Sequence, residues 1–484
     1  MLAPLRALLR ALAPALLRAP LLGSARRIAP LAWPVFVGQL AVLAFATIDT
    51  IMVARYTAID LAALAIGGAA YVTVFVGLMG MVLAVAPIAG HLFGAGRHKE
   101  CGRQLHQAMW LALVLSVVGN AALLFPQPFL SLSQAGPEVS AKARGYLAAL
   151  AFALPPALLF TAFRGFNTAV SRPKVVMALQ LAALLLKVPL TALLVFGATL
   201  PASLGGGHLH ALGTPGCGVA TAVVMTLQML AALWVLRRDP FYARFELGRR
   251  PQAVDRASQR ALLRLGVPMG LSIAIEVSGF TFMAFFISRL GATPVAGHQI
   301  ALNLVSMMFM LPLAIGNAAS ALVAQRLGAG DPSDARRLGW HGLELGVSIA
   351  ASVSTVVYLA RAPILNLYTH DAVIVDAALP LLAWVVVFHV ADAAQTVSAF
   401  VLRAYRVATA PMVIYAIAIW GVGLGGGYAV AFDTTGLSPA WLQGAQGFWS
   451  AATVGLVVAA LGLSGFLRWM LHQQPTTRPL HNGR

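Results

Sequence analysis

The sequence predicts an all-α, polytopic membrane protein: twelve transmembrane helices in two six-helix lobes, related by a parallel internal repeat. Three observations carry this. Of 484 residues, 60% are hydrophobic and only 10% are charged, where soluble domains carry about 25% charged side chains. Apolar stretches long enough to cross a ~30 Å hydrocarbon core, about 20 residues each, recur twelve times. The second six of them repeat the first. So few charges would not cover a water-facing surface, which excludes a cytosolic enzyme, a nucleic-acid binder and a disordered scaffold.

In order, the spans are expected near 34–54, 62–90, 105–125, 146–163, 175–197 and 216–236, then 266–288, 296–324, 342–362, 380–402, 411–431 and 448–470. The net charge of +18 reports topology. Of the 33 basic residues, 27 fall in segments that share one side of the membrane. Five fall on the other side (Arg55, Lys142, Arg144, Arg289 and Arg361), and Lys187 lies inside a span. Basic loops stay cytoplasmic, so both termini are expected inside, in a bacterial inner (plasma) membrane. The chain divides into a basic cytoplasmic N-terminal segment (1–30), an N-lobe (31–236, spans 1–6), a cytoplasmic inter-lobe loop (237–264), a C-lobe (265–470, spans 7–12) and a cytoplasmic tail (471–484). Arg6, Arg10, Arg18, Arg26 and Arg27 make the first segment a basic stretch on the inner leaflet rather than a targeting signal, with Pro4, Pro14 and Pro20 breaking any long helix. Two cysteines far apart, Cys101 and Cys217, make no disulfide framework or thiolate metal site.

A shift of 234 aligns the halves without a gap from Pro34 to Gly96: Pro34 meets Pro268, Arg55 meets Arg289, and Gly94-Ala95-Gly96 meets Gly328-Ala329-Gly330. Later, Arg164 before Pro173 resembles Arg403 before Pro411, and Gly218 resembles Gly447. Both halves start inside, so an axis along the membrane normal relates them, as in transporters that rock two bundles about a central cavity.

Charges inside the bilayer cost several kcal/mol and are functional candidates by default. Asp49 lies in the outer part of span 1, Glu276 near the middle of span 7 and Asp392 near the middle of span 10. None has an acidic counterpart at the repeat-related position. Such carboxylates bind a cation such as Na⁺ through oxygen, exchange a proton, or pair with a cationic substrate; a helix-packing hydrogen bond is the plain alternative. Glu344, near the inner end of span 9, is expected to reach toward solvent. Lys187, deep in span 5, reads equally as the ion-pair partner of Asp49 or as a fixed or titratable cation that modifies coupling.

Weaker signals are Pro87, Pro155, Pro156, Pro189 and Pro312 within spans, read as bending points or ordinary kinks. The GxxxG spacings at Gly90/Gly94, Gly266/Gly270 and Gly421/Gly425 read as close packing. Met307, Met308, Phe309 and Met310 read as lipid-facing or core rather than a drug pocket. The histidines show no HExxH, and no Walker A motif points to ATP.

The stretch FATIDTIMVARYTAIDLAALAIG and the later GAGR, PGCGVATAVV at 215–224, GVPMGLSIAIEVSGF at 266–280, VAGHQIALN at 295–303 and ADAAQTVSAFVLRAYR at 391–406 resemble, in order from about residue 30 to 470, the multidrug and toxic compound extrusion (MATE) transporters, closest to the NorM-like branch. The resemblance implies a secondary active antiporter that exports drug-like organic cations or amphipathic compounds in exchange for Na⁺ or H⁺ by alternating access. It assigns Glu276 and Asp392 to a C-lobe cation site, with Na⁺ possible there, and Asp49 to coupling or substrate binding in the N-lobe. The chain departs from the branch at three places, and Lys187, Thr191 and Phe388 among them are expected modulators. Lys187 and Thr191 stand where span 5 of the branch usually has Asn. Phe388 replaces a Tyr one turn before the span 10 acid, and Val407 replaces an acid after the LRGY-type motif. No cofactor beyond the coupling ion, no nucleic-acid partner and a monomer in contact with membrane lipid are expected. The rival readings are a flippase for lipid or lipid-linked sugar, which Lys187 keeps open, and a membrane-embedded lipid enzyme, for which no nucleophile–base or metal constellation is present.

Overall fold

Twelve helices long and apolar enough to cross a membrane occupy the described residues of this computed structural model, which are 19–133, 135–199, 208–247, 252–434 and 436–473. We number them α1 (Ala19–Ala54), α2 (Ala58–Gly94), α3 (His98–Leu124), α4 (Pro137–Ala169), α5 (Pro173–Phe196), α6 (Thr214–Arg238), α7 (Arg256–Ser288), α8 (Ala292–Gly328), α9 (Pro332–Leu359), α10 (Ala372–Ala404), α11 (Thr409–Ala431) and α12 (Ala445–Gln473). Each expected span lies within one of them or within about three residues of its ends. Most helices extend well beyond the apolar stretch, because an end such as Arg256-Ala-Ser-Gln-Arg-Ala-Leu-Leu-Arg keeps the helical period while being too polar to score as a span. Residues 19–30 are helical and continuous with span 1. The expectations for Arg6, Arg10, Arg18, Pro4 and Pro14, and for tail residues 474–484, fall outside the described residues.

Side chains close several helix starts by accepting the first free backbone N–H groups, each worth ~1 kcal/mol. Thr57 caps α2 through Asp60 N (3.0 Å), Asp331 caps α9 through Asp334 N (3.0 Å) and Asp371 caps α10 through Val373 N (2.9 Å). The backbone hydrogen bond from Asp334 holds the Asp331 carboxyl below the usual carboxylate range. Of the five span prolines, only Pro87 interrupts its helix, at Leu83–Ala84 where its ring removes room and a donor; α4, α5 and α8 run through Pro155, Pro156, Pro189 and Pro312. Helix α11 is α-helical at Thr409–Tyr415, π-helical at Ala416–Gly425 and α-helical again at Gly426–Ala431.

The repeat is written into the backbone. Helix α2 shifted by 234 coincides with α8. Gly96 and Gly330 take φ of +72° and +75°, and Ser171 and Arg406 take φ of +61° and +60°. The bonds closing these turns match as well: Arg97 N to Leu92 O (2.9 Å) with Asp331 N to Arg326 O (3.0 Å), and Arg172 N to Asn167 O (2.8 Å) with Val407 N to Leu402 O (3.0 Å). The second pair fixes the offset there at 235. Arg164 and Arg403, matched by sequence at 239, therefore stand about one helical turn out of register.

The chain forms two compact units. One contains Pro34–Phe93 and Arg97–Ala274; the other contains the described residues up to Trp33, Gly94–Gly96 and everything from Ile275 onward. In the first, α4 is central, packing against α2, α3 and α6 around Leu147, Phe163 and Phe166. In the second, α10 takes the equivalent place against α8, α9 and α12 around Val397, Val401 and Leu402. The first turns of α1 join this second unit: Ser24 Oγ lies 2.6 Å from His341 Nδ1, and Arg27 meets Asp334 at 2.9 Å. Arg326 and Arg337 close on the same carboxylate at 2.9 and 2.5 Å.

The inter-lobe connection is docked on the first unit. Its short 3₁₀ helix, Pro240–Phe245, buries Phe245 against Phe93, His98 and Phe166. Tyr242 donates to Asn167 (2.5 Å), Arg172 pairs with Asp239, and Lys99 pairs with Glu246 (2.8 Å). Further on, Gln107 and Trp110 of α3 donate to the carbonyls of Ala253 (2.7 Å) and Gln252 (2.9 Å).

Gly266 and Gly270 are close-packing residues: a Cβ on Gly266 would lie 2.5 Å from Met81 O, and one on Gly270 would lie 2.6 Å from Gly77 O. Gly421 has open space instead. Gly270→Val should destabilise the protein by about 1–3 kcal/mol through overpacking, whereas Gly421→Ala should not act by that route. Thermal unfolding in detergent reads the difference.

Candidate functional site

Each unit carries its own cluster of buried polar groups at the depth of the spans. In the C-terminal unit it is built on Gln395 of α10, which is fully buried. Asp392 lies three residues earlier on the same helix face, and Gln395 Nε2 donates to Asp392 Oδ1 at 2.8 Å and to Glu276 Oε1 of α7 at 3.2 Å. Thr396 Oγ1 lies 3.1 Å from the same nitrogen. The other end of the amide is held by the Tyr415 hydroxyl, which donates to Gln395 Oε1 from the last α-helical turn before the π-helical stretch. Trp420, inside that stretch, donates to Ile275 O (3.2 Å) and Ser278 Oγ (3.3 Å), on either side of Glu276. Two carboxylates thus share one amide group, and among the described residues neither makes an ion pair. Asp392 is buried and Glu276 half-buried.

Phe388, one turn before Asp392, is buried against Phe280 and Trp449, with ring centroids at 5.9 and 5.4 Å. It offers packing and no hydroxyl; the phenol of this cluster comes from Tyr415. Val407 sits in the left-handed turn after α10. Glu344, near the middle of α9, is exposed between buried Leu343 and Leu345 and makes no ion pair among the described residues.

In the N-terminal unit the cluster is built on Lys187 of α5, which is completely buried. Its Nζ lies 2.9 Å from Asp49 Oδ1 of α1, as a charge–charge contact, and donates to Thr221 Oγ1 of α6 at 2.5 Å. Thr221 passes its own hydrogen to Cys217 O at 2.9 Å. The Phe45 ring centroid is 5.8 Å from the ammonium. Thr191, one turn beyond Lys187, is also fully buried, and its hydroxyl has no hydrogen-bond partner among the described residues. Of the two readings of Lys187, the structure shows the pair with Asp49.

Asp60, another buried carboxylate, stands in contrast to these. At the start of α2, it accepts from Lys142 (2.6 Å), Thr57 Oγ1 (2.6 Å), and Thr214 N and Oγ1 (2.8 and 2.9 Å). Its acceptor positions are filled by groups of α2, α4 and α6, so it ties helix ends together and has no capacity left for a ligand. The structure places Asp49, Glu276 and Asp392 within α1, α7 and α10 and brings the last two together at Gln395. Sequence reasoning missed Gln395, Thr396 and Tyr415. The three-residue spacing from Asp392 was the available signal for Gln395; nothing local marks Tyr415. Among the described residues, no group of three or more His, Cys, Asp or Glu is arranged to hold a metal ion.

Comparison with known proteins agrees with this architecture. A family model described as MatE matches residues 34–193 and 268–429, once in each half and with starts 234 residues apart. The chain is 38% identical over 444 residues to a protein of Aromatoleum aromaticum named "Probable multidrug resistance protein NorM", covering 92% of this chain and 94% of that one. It is 34% identical over 450 residues to "Multidrug resistance protein NorM" of Vibrio cholerae, covering 92% and 95%. Among solved structures, the bent form of the Vibrio cholerae MATE transporter VcmN superimposes with a TM-score of 0.80 at 16% identity, covering 94% of this chain and 98% of that one.

Removing one partner of a buried ion pair costs about 3–5 kcal/mol, because the other charge is stranded. Lys187→Ala should therefore be more destabilising, and impair any transport more, than Lys187→Ala combined with Asp49→Asn. Thermal unfolding of both proteins checks this; equal losses would remove the energetic case for the pair.

Proposed function

Because this chain belongs to the MatE family, we propose that it is a secondary active multidrug efflux antiporter, exporting organic cationic and amphipathic compounds in exchange for Na⁺ or H⁺ by alternating access. The observation that carries the coupling is the Gln395 cluster: two carboxylates within the spans share one neutral amide. Their charge calls for a cation or a proton close by. Na⁺ is taken by oxygen ligands, which Glu276, Asp392 and Thr396 supply here; a proton is taken by either carboxylate. Occupancy displaces the Gln395 N–H from at least one carboxylate. Through Tyr415 and Trp420, the shift reaches α11 on both sides of the start of its π-helical stretch.

A ligand moves a conformational equilibrium only by its differential affinity for the two states. The coupling ion then has to bind more tightly in the state that releases drug outside. The bodies that exchange access are the N-lobe (31–236) and the C-lobe (265–470), in a monomer of the bacterial inner membrane with both termini cytoplasmic. The substrates are drug-like cations, and no cofactor is needed beyond the ion. Against a lipid flippase, the intramembrane Lys187 that speaks for it is paired with Asp49. The multidrug names of the relatives also favour drug export.

Ethidium export from liposomes holding the purified protein, with Na⁺ and proton gradients imposed separately, tests the reading. One gradient should drive efflux, and movement under neither would overturn antiport. Glu276→Gln and Asp392→Asn should each abolish efflux while the protein remains in the membrane. Tyr415→Phe loses one hydrogen bond that orients Gln395, worth about 0.5–1.5 kcal/mol. The coupling-ion concentration for half-maximal efflux should rise by about 2- to 10-fold, with the maximal rate largely retained.

A further inference from the structure

The two clusters differ in how charge is met: among the described residues the C-terminal carboxylates make no ion pair, with the buried Arg403 acting on Glu276 only at longer range, whereas Asp49 is in direct contact with a cation built into the chain. We propose that the Lys187 ammonium occupies the place of a monovalent ion at Asp49, so that the N-terminal half takes up no free coupling ion, and that removing this side chain uncovers a latent Na⁺ site. The inference rests on the C-lobe coupling reading above and assigns the opposite behaviour to the other half.

The surroundings of Nζ are those of a hard cation. It contacts Asp49 Oδ1 at 2.9 Å and Thr221 Oγ1 at 2.5 Å, and Thr221 is itself polarised by its bond to Cys217 O. Thr191 adds a second buried hydroxyl on the same face of α5, and that oxygen has no hydrogen-bond partner among the described residues. An ammonium at the end of four methylenes offers three hydrogens and no acceptor. It therefore satisfies a set of oxygens much as a small cation does, yet cannot leave. The carboxylate and two hydroxyl oxygens are the ligand types that alkali and alkaline-earth cations take. With Lys187 truncated, the buried Asp49 carboxylate needs a replacement charge, and these oxygens are arranged to receive one.

Equilibrium binding of ²²Na⁺ to the detergent-purified full chain at pH 8 tests this, in a Glu276→Gln, Asp392→Asn background that silences the other cluster. With Lys187 present, no saturable site is expected. Lys187→Met should gain one site per chain and be stabilised against thermal unfolding by Na⁺ but not by choline. Adding Asp49→Asn should abolish both effects, and Lys187→Arg, which keeps the charge, should gain neither. Saturable binding with Lys187 in place that Asp49→Asn removes would overturn the inference; this arm needs no Lys187 variant to fold. A monodisperse Lys187→Met protein without any site at high Na⁺ would overturn it too. Gradient-driven efflux persisting in the silenced background, with no ²²Na⁺ at Asp49, would instead fault the C-lobe reading and leave this one standing.

Discussion

A charge held away from water has to be balanced within a few ångströms, and most of what distinguishes one part of this chain from another is how that is done. Asp60 is balanced by Lys142 and saturated by three further donor contacts. Asp49 is balanced by a lysine that never reaches solvent. Glu276 and Asp392 have only an amide between them. These arrangements form a series from saturated to open. The order is set by the number and charge of the donors at each carboxylate, while burial alone does not separate them.

The frame beneath these groups is symmetric to a degree that the groups are not. Left-handed residues recur at Gly96 and Gly330, and at Ser171 and Arg406. The central helices α4 and α10 pack against corresponding neighbours. Yet the polar residues stand at unrelated positions: Asp49 corresponds to Met283, and Glu276 to Val42. Turns and close approaches constrain the backbone and so persist in both copies. Side chains facing an interior cluster are bound by no such rule, and the two halves have diverged there into different electrostatic roles.

Much of this was legible in the sequence because a membrane penalises polar groups so heavily. Twelve apolar stretches, the bias of arginines toward one side and three intramembrane carboxylates are each signals of several kcal/mol. Helix ends were less legible, since the arginine-bearing turns of α7 lie beyond the apolar stretch and look like loop. Gln395 and Tyr415 were passed over because neutral polar side chains carry little cost when their partners are present, and those partners come from other helices. The docking of Phe245 and Tyr242 was hidden by the eight arginines of the connection, which suggest a solvated tether. The π-helical course of Ala416–Gly425 leaves no pattern of apolar spacing; only its glycines hint at irregular backbone.

The attachment of the first turns of α1 to the second half of the chain bears on how the protein is made. Ser24 and Arg27 find partners 317 and 307 residues later in the sequence, while the connection after α6 docks on elements already synthesised. At about 5–20 residues per second, the ribosome needs roughly 15–60 s to supply His341 after Ser24 has emerged. The earliest segment is therefore among the last to reach its final packing. Over that interval the nascent chain carries an unfinished end at its start rather than at its growing point.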